Sequence, residues 1–284
     1  MTLTKESVIR IPVDPANPGQ FFACCGLLEL ADRLWSGVEG WFDDGLFCIE
    51  TTENSATLYE LLAAAHDIAL SDAGCSGDLD DDSDGEDDSE DETSALTIVS
   101  PISLRLDWWK DKSLKPWAGS MSVRKIFLAM RAAIDSLNCD PLNHRQVVLD
   151  PVSTTLTKKH GAKSKKREPR EPFYFDARRG ANSLSLDIGF APDPLKKVLR
   201  LATIAYPAVE AMSLIGLQRC RPKPTDTPRT FDYFTWQDPL PASVLSAAVS
   251  GLIGNGDGYR FENAFRTTQR KHKAFNPATP LQRS

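Results

Sequence analysis

Seven cations crowd into thirteen residues of KKHGAKSKKREPR (158–170): Lys158, Lys159, Lys163, Lys165, Lys166, Arg167 and Arg170, with only Glu168 and Glu171 near them in sequence. Like charges at this density repel one another and hold a chain extended until an anion neutralises them. Phosphate is the natural counterpart, because each neutralised phosphate also releases counterions. A solvated loop is the competing reading. Directly downstream, EPFYFDARRGANSLSLDIGF (171–190) reads as a hairpin whose turn carries Arg178 and Arg179 beside Gly180. Aromatic rings and guanidinium planes stack on bases, so Tyr174 and the two arginines extend the nucleic-acid reading. In a strand, Phe173 and Phe175 would face the core and Tyr174 the solvent. Arg179 is expected to be the more exposed arginine, since Arg178 can pair with Asp176 or Asp187.

A second cluster, LDWWKDKSLKPWAGSMSVRK (106–125), sets Trp108, Trp109 and Trp117 among Lys110, Lys112 and Lys115. Tryptophan is costly to expose, so the rings are assigned to the core or to a subunit contact. The three lysines are assigned to phosphate.

No catalytic set emerges. His66, His144, His160 and His272 share no spacing, and HExxH, GxSxG and P-loop patterns are absent. His160 in the basic loop and Tyr174 are the residues an RNA-cleaving reading would use. Asp80, Asp82, Asp84 and Gly85 match the start of a calcium loop, but its twelfth position is Asp91 rather than glutamate. An acidic low-complexity run meets that pattern by chance, so neither a metal nor a cofactor is expected. The six cysteines form no CxxC pair and read as reduced, mostly buried apolar residues.

These residues must be positioned by an α+β fold, a mixed sheet with packed helices and a partly helical C-terminal part. SVIRIPVD, GLFCIET, ALTIVSPISLRLDWW and RTFDYFTW have strand patterning. FFACCGLLELADRLW, behind Asn17-Pro18-Gly19, and SMSVRKIFLAMRAAIDSL have helical spacing and caps. ATLYELLAAAHDIAL reads as a further helix, capped by Asn54 or Ser55. Helices are also predicted over 194–219, broken before Pro207, and over 241–253, nearly all apolar and therefore buried. The expected organisation is an N-terminal α/β part (1–71), an acidic disordered insert (72–94), the rest of the body (95–265, with the basic loop at 157–171) and a loosely ordered basic tail (266–284).

The formal net charge of -6 describes none of these parts. Residues 72–92 hold 12 of the 39 acidic residues and no lysine or arginine, which leaves 27 acidic against 33 basic residues elsewhere, about +6. The body is mildly basic and the insert strongly acidic. No stretch reads as membrane-spanning and the first residues lack an apolar signal core, so a cytoplasmic protein with no membrane partner is expected.

Four stretches together resemble a CRISPR-associated family of the type I-U (I-G) systems, the short form of the large subunit of a Cascade-like effector. They are IPVDPANPGQFFACCGLLELADRLW (11–35), WWKD…WAGS (108–120), EPFYFDARRGANSLSLDIGF and YPAVEAMSLIGLQRCRP (206–222). The resemblance implies a non-catalytic nucleic-acid-binding subunit of a ribonucleoprotein surveillance complex in antiviral defence. Its partners would be guide RNA, target DNA, the backbone and handle-binding subunits, and transiently a helicase-nuclease. Base pairing then reads the target, and protein reads shape, phosphate and a short groove. Larger members end in a sizeable helical bundle; here only 194–219 and 241–253 read as helical near the C-terminus, so either the bundle is reduced or a small subunit is made separately. Two alternatives stand beside this reading: a guide-processing endoribonuclease, and a structural adaptor whose basic loop docks an acidic partner.

The insert has almost nothing apolar to set against its ordering entropy. Replacing residues 74–93 with a short Gly/Ser linker should therefore leave the melting temperature within a few degrees. If the insert shields the basic body, the same deletion strengthens non-specific DNA binding. A collapse in soluble yield would show that the segment is structural.

Overall fold

A computed structural model describes residues 7–71, 95–118, 121–151, 169–179, 188–193, 198–266, 268, 270 and 272–282. The acidic insert, and with it most of the basic loop (Lys158, Lys159, His160, Lys163, Lys165, Lys166 and Arg167), lies outside the described residues.

The architecture is α+β, with every strand pair among the described residues antiparallel. Strands β1 (Ser7–Pro12), β2 (Glu39–Asp43) and β3 (Leu46–Thr51) form one sheet in the order β1-β3-β2, and helix α1 (Pro18–Leu34) connects its first two strands. Helix α2 (Leu58–His66) leads to a second sheet of β4 (Ala69–Leu70), β5 (Leu96–Ser100) and β6 (Leu104–Leu106). Helix α3 (Val123–Ala132) precedes a third sheet, ordered β7-β9-β8, of β7 (Gln146–Val147), β8 (Ile188–Asp193) and β9 (Val198–Ala205). After α4 (Pro207–Arg219) come β10 (Lys223–Pro224), β11 (Thr230–Phe234), α5 (Leu245–Val249), β12 (Gly258–Phe265), β13 (Lys273–Phe275) and β14 (Thr279–Pro280). These form the last sheet, in the order β10-β11-β12-β13, with β14 also on β12.

The centre is the pair α1 and α4. Both are apolar almost all round and buried through most of their length, as an interior helix must be. Their backbones meet where side chains are missing. A Cβ on Gly26 would lie 2.0 Å from the Met212 carbonyl oxygen, and one on Gly216 would lie 2.1 Å from that of Phe22. The Ser213 hydroxyl donates to the Gly19 carbonyl at 2.8 Å, so the two helices share a hydrogen bond at one end of the crossing. At the other end buried Glu29 accepts from Arg219 (2.5 Å) and from Arg33 one turn along α1 (2.7 Å).

Aromatic rings pack around this pair. Trp108 is 1% exposed and donates its indole N–H to the Leu214 carbonyl of α4 at 2.8 Å. Trp109 and Trp117 stack edge-on against it, so all three tryptophans serve packing, as their residue type predicted. Trp236 bonds the Gly40 carbonyl of β2 at 2.7 Å and ties the first sheet to the last.

Several elements differ from the sequence expectation. Residues 171–179 do not form the first strand of a hairpin, and 180–187 lie outside the described residues: Phe173–Asp176 run through the core without strand pairing and end in a 3-10 turn at Ala177–Arg179. The antiparallel pairing in this region is instead β8 with β9, with Phe190 opposite Leu201. Residues 198–205 are thus strand where helix was expected over 194–219. Their apolar spacing fits both periods, and β8 supplies the ladder while Pro207 starts α4. The 241–253 helix shrinks to a 3-10 turn (Ala242–Val244) and α5. It ends at Gly251, whose φ of +73° favours glycine, and Leu252 beyond it is 78% exposed. Thr57, rather than Asn54 or Ser55, caps α2 in a capping box with Glu60. The tail is not loose either: β13 and β14 pair with β12, and Phe275 is fully buried.

Gly216→Ala tests the central crossing. A methyl group there overlaps the Phe22 backbone, which cannot rotate away, so unfolding free energy should fall by about 1–3 kcal/mol or more. Urea denaturation reads this, and an unchanged midpoint would show that the helices part without cost.

Candidate functional site

Asn17, Asp176, Arg178 and Glu210 meet where the 172–179 segment crosses the start of α1. Asn17 caps α1: its side-chain oxygen accepts from the Gly19 and Gln20 N–H groups at 3.1 and 3.5 Å. The same oxygen accepts from the Ala177 N–H at 3.0 Å, while its amide donates to Asp176 at 3.1 Å. One side chain thus starts the helix and holds a strand-like segment 160 residues away in sequence. A Cβ on Gly19 would sit 2.4 Å from the Phe175 carbonyl oxygen, so the segment lies directly on the helix backbone. From α4, Glu210 accepts the Phe175 and Asp176 N–H groups at 3.1 and 3.3 Å.

Arg178 closes this junction. Its guanidinium donates twice to Asp176 (2.6 and 2.9 Å), to Asn143 and to the Leu142 carbonyl (both 2.7 Å), and lies 3.5 Å over the Tyr206 ring. The expected pairing with Asp176 is present. Arg179, expected outside, is 2% exposed. It lies 4.7 Å from the Tyr174 ring centre, and Arg266 covers that ring at 3.4 Å. None of its guanidinium nitrogens has a hydrogen-bond partner among the described residues. Tyr174, expected to face solvent, is 5% exposed with a φ of +67°. That left-handed conformation breaks strand alternation and turns the ring inward. Tyr174 and Arg179 are therefore core residues and cannot stack on bases.

The other predicted contacts separate. Arg170 is paired with Asp150, and Lys110 lies 3.5 Å from Asp107. Lys112 is exposed. Lys115 is buried, its ammonium 5.5 Å over Trp117, which removes it from the phosphate-facing set. Two cations that sequence reading passed over lie beside this loop. Lys273 donates to the Lys112 carbonyl at 2.6 Å, and Arg229 covers Phe265, the residue opposite Lys273 in the β12–β13 ladder. Their signal was faint: KHK inside a tail assigned to loose order, and a lone arginine before a strand.

Among the described residues no group of three histidine, cysteine or acidic side chains could hold a metal. No helix of the described residues is long and apolar enough to cross a membrane.

The two buried carboxyls of the helix pair titrate in opposite directions. Burial would raise Glu29, but the bonds from Arg219 and Arg33 bring it below its ordinary value. Glu210 is pushed up from 4.5 to about 7, first by burial and then by Asp176, with its backbone bonds and Arg179 opposing. Between pH 4.5 and 7 the unfolded chain has lost this proton and the folded chain keeps it, so stability falls as pH rises through that window. The shift corresponds to about 3 kcal/mol. Urea unfolding across that range should show the decline in the parent and a flatter profile in Glu210→Gln. Equal slopes would mean that Glu210 ionises in the folded protein at its ordinary value.

The chain matches no family model, no curated protein and no solved structure.

Proposed function

We propose that this chain is a non-catalytic, nucleic-acid-binding subunit of a type I-U/I-G CRISPR surveillance complex. In this reading it contacts guide RNA and the DNA duplex beside the target, sits against the backbone and handle-binding subunits, and supports recruitment of the helicase-nuclease. The observation that carries the proposal is the convergence of the four stretches on which the resemblance rests. Residues 11–35 supply α1 and residues 206–222 supply α4. The Phe175–Asp176 backbone lies across both through Gly19 and Glu210, and Trp108 bonds the Leu214 carbonyl. Stretches that mark a shared fold are expected to pack together, as these do around α1 and α4.

Charge and chemistry support the same reading. The body outside the acidic insert is basic by formal count, as phosphate binding at many positions requires. Tyr174 is enclosed by two guanidinium groups and the protein interior, so the ribonuclease alternative loses one of its two residues.

Co-expression with the other subunits of such a system and its guide RNA tests the proposal. The chain should co-purify with the ribonucleoprotein at fixed stoichiometry, and pure chain should leave repeat RNA uncut. Failure to join the particle overturns the proposal, and specific cleavage of the repeat moves the function to the endoribonuclease reading.

A further inference from the structure

We propose that Arg229 and Lys273, with Lys112 beside them, form a preassembled contact for the phosphodiester backbone of a nucleic-acid strand. This rests on the nucleic-acid-binding reading above and joins to Lys112, already assigned to phosphate, two cations that neither basic motif contains.

Three separate parts of the chain bring these cations together. The loop carrying Lys112 and Lys115 is fastened to the last sheet by the Lys273 N–H donating to the Pro116 carbonyl at 2.9 Å. The Asn263 amide adds bonds to the Ser113 and Lys115 carbonyls at 2.9 and 3.4 Å. Lys273 stands on β13 and bonds only neutral carbonyls, those of Lys112 (2.6 Å) and Ser113 (3.4 Å). Among the described residues no carboxylate lies within ion-pair distance of it. Arg229, at a φ of +61° just before β11, rests 4.8 Å over the Phe265 ring. Its one ion pair among the described residues is long, 3.7 Å to a half-exposed Glu262, and its buried Nε has no hydrogen-bond partner.

Such an arrangement is costly in the free protein. Burial, then Arg229 and Lys115, hold the Lys273 ammonium down to about 8, with only Asp111 opposing. Cations that disfavour one another while fixed on a rigid sheet gain when an anion arrives, and little side-chain ordering is then required. A nucleic-acid strand supplies repeated singly charged phosphates, which suits neighbouring cations drawn from separate segments.

Fluorescence anisotropy of the purified full chain with labelled single-stranded RNA, and separately with duplex DNA, tests this over a salt series. Lys273→Gln and Arg229→Gln should each weaken binding about 3–10-fold. Each should also reduce the slope of log affinity against log salt by roughly 0.7 on a single strand or 0.9 on a duplex. Arg10→Gln, the same charge change at an exposed position of β1, should leave both readouts at the parent value. A loss confined to RNA places the guide at this site, and one confined to the duplex places the target there. Thermal melting accompanies each variant, and if Arg229→Gln is unstable, Lys112→Gln takes its place. If the parent binds and both site variants keep its slope, or Arg10→Gln weakens binding equally, this site is wrong while the nucleic-acid reading stands. If the parent binds neither RNA nor DNA at low salt, the functional reading fails and this inference fails with it.

Discussion

The backbone-to-backbone crossing of α1 and α4 is the constraint on which the rest of the protein depends. Gly26 and Gly216 let two interior helices approach until a single methyl group on either would collide with a carbonyl of the other. At that distance polar backbone atoms of one helix become reachable from the other, which is why Ser213 can bond the Gly19 carbonyl. The approach also fixes both helix ends. Glu29 can bridge Arg33 and Arg219 at one end only because the axes are this close, and Glu210 can reach the 175–176 backbone at the other. The sheets then attach to this pair through aromatic packing, with Trp108 on α4, and Phe21 and Phe22 of α1 against Tyr233 of β11.

A buried polar junction beside such a crossing is tolerated only when its groups satisfy one another. Asp176 accepts from Arg178 and Asn17, and Glu210 accepts two backbone N–H groups. Removing Asp176 or Arg178 leaves the other without its ion partner, at a typical cost of about 3–5 kcal/mol. The junction therefore specifies where residues 172–179 lie more than it adds net stability. An apolar contact would permit that segment to slide, whereas the Asn17 side chain accepts from Ala177 and from no neighbouring residue of the segment.

The helices whose starts are marked by a capping residue were legible in sequence. Asn17 before Pro18 marks the start of α1, and Ser122 marks that of α3, whose side chain accepts from the Lys125 N–H as a cap should. The tryptophans were legible because their size leaves few alternatives to burial. What was not legible depended on partners distant in the chain. Residues 198–205 satisfy helical and strand periods alike, and only pairing with β8 decides between them. Arg179 and Tyr174 read as an exposed, sequence-adjacent pair, yet a positive φ at Tyr174 reverses the expected facing. Lys273 was hidden for the same reason. Its tail looks too polar to order until β12 offers an edge to pair with.

Counting charges along a sequence treats every ionisable side chain as outside, and this fold breaks that assumption. Glu29, Asp176 and Glu210 are interior carboxyls, against Arg179 and Lys115 as interior cations. With Glu210 keeping its proton up to about pH 7, the inward carboxylates and cations nearly cancel, so what burial changes is which charges a ligand can reach rather than their balance. A ligand phosphate responds most strongly to charges within a Debye length, about 8–10 Å in ordinary salt, so local charge weighs more than the net charge of the chain. Within that radius, fixed cations outweigh mobile ones of equal number. A lysine in a free loop must give up roughly 2 kcal/mol of side-chain freedom when it grips an anion, whereas one already held by strand and carbonyl bonds has less to lose. The density of a basic run in sequence is for this reason a weaker guide to the anion-binding face than the few cations that a sheet holds in place.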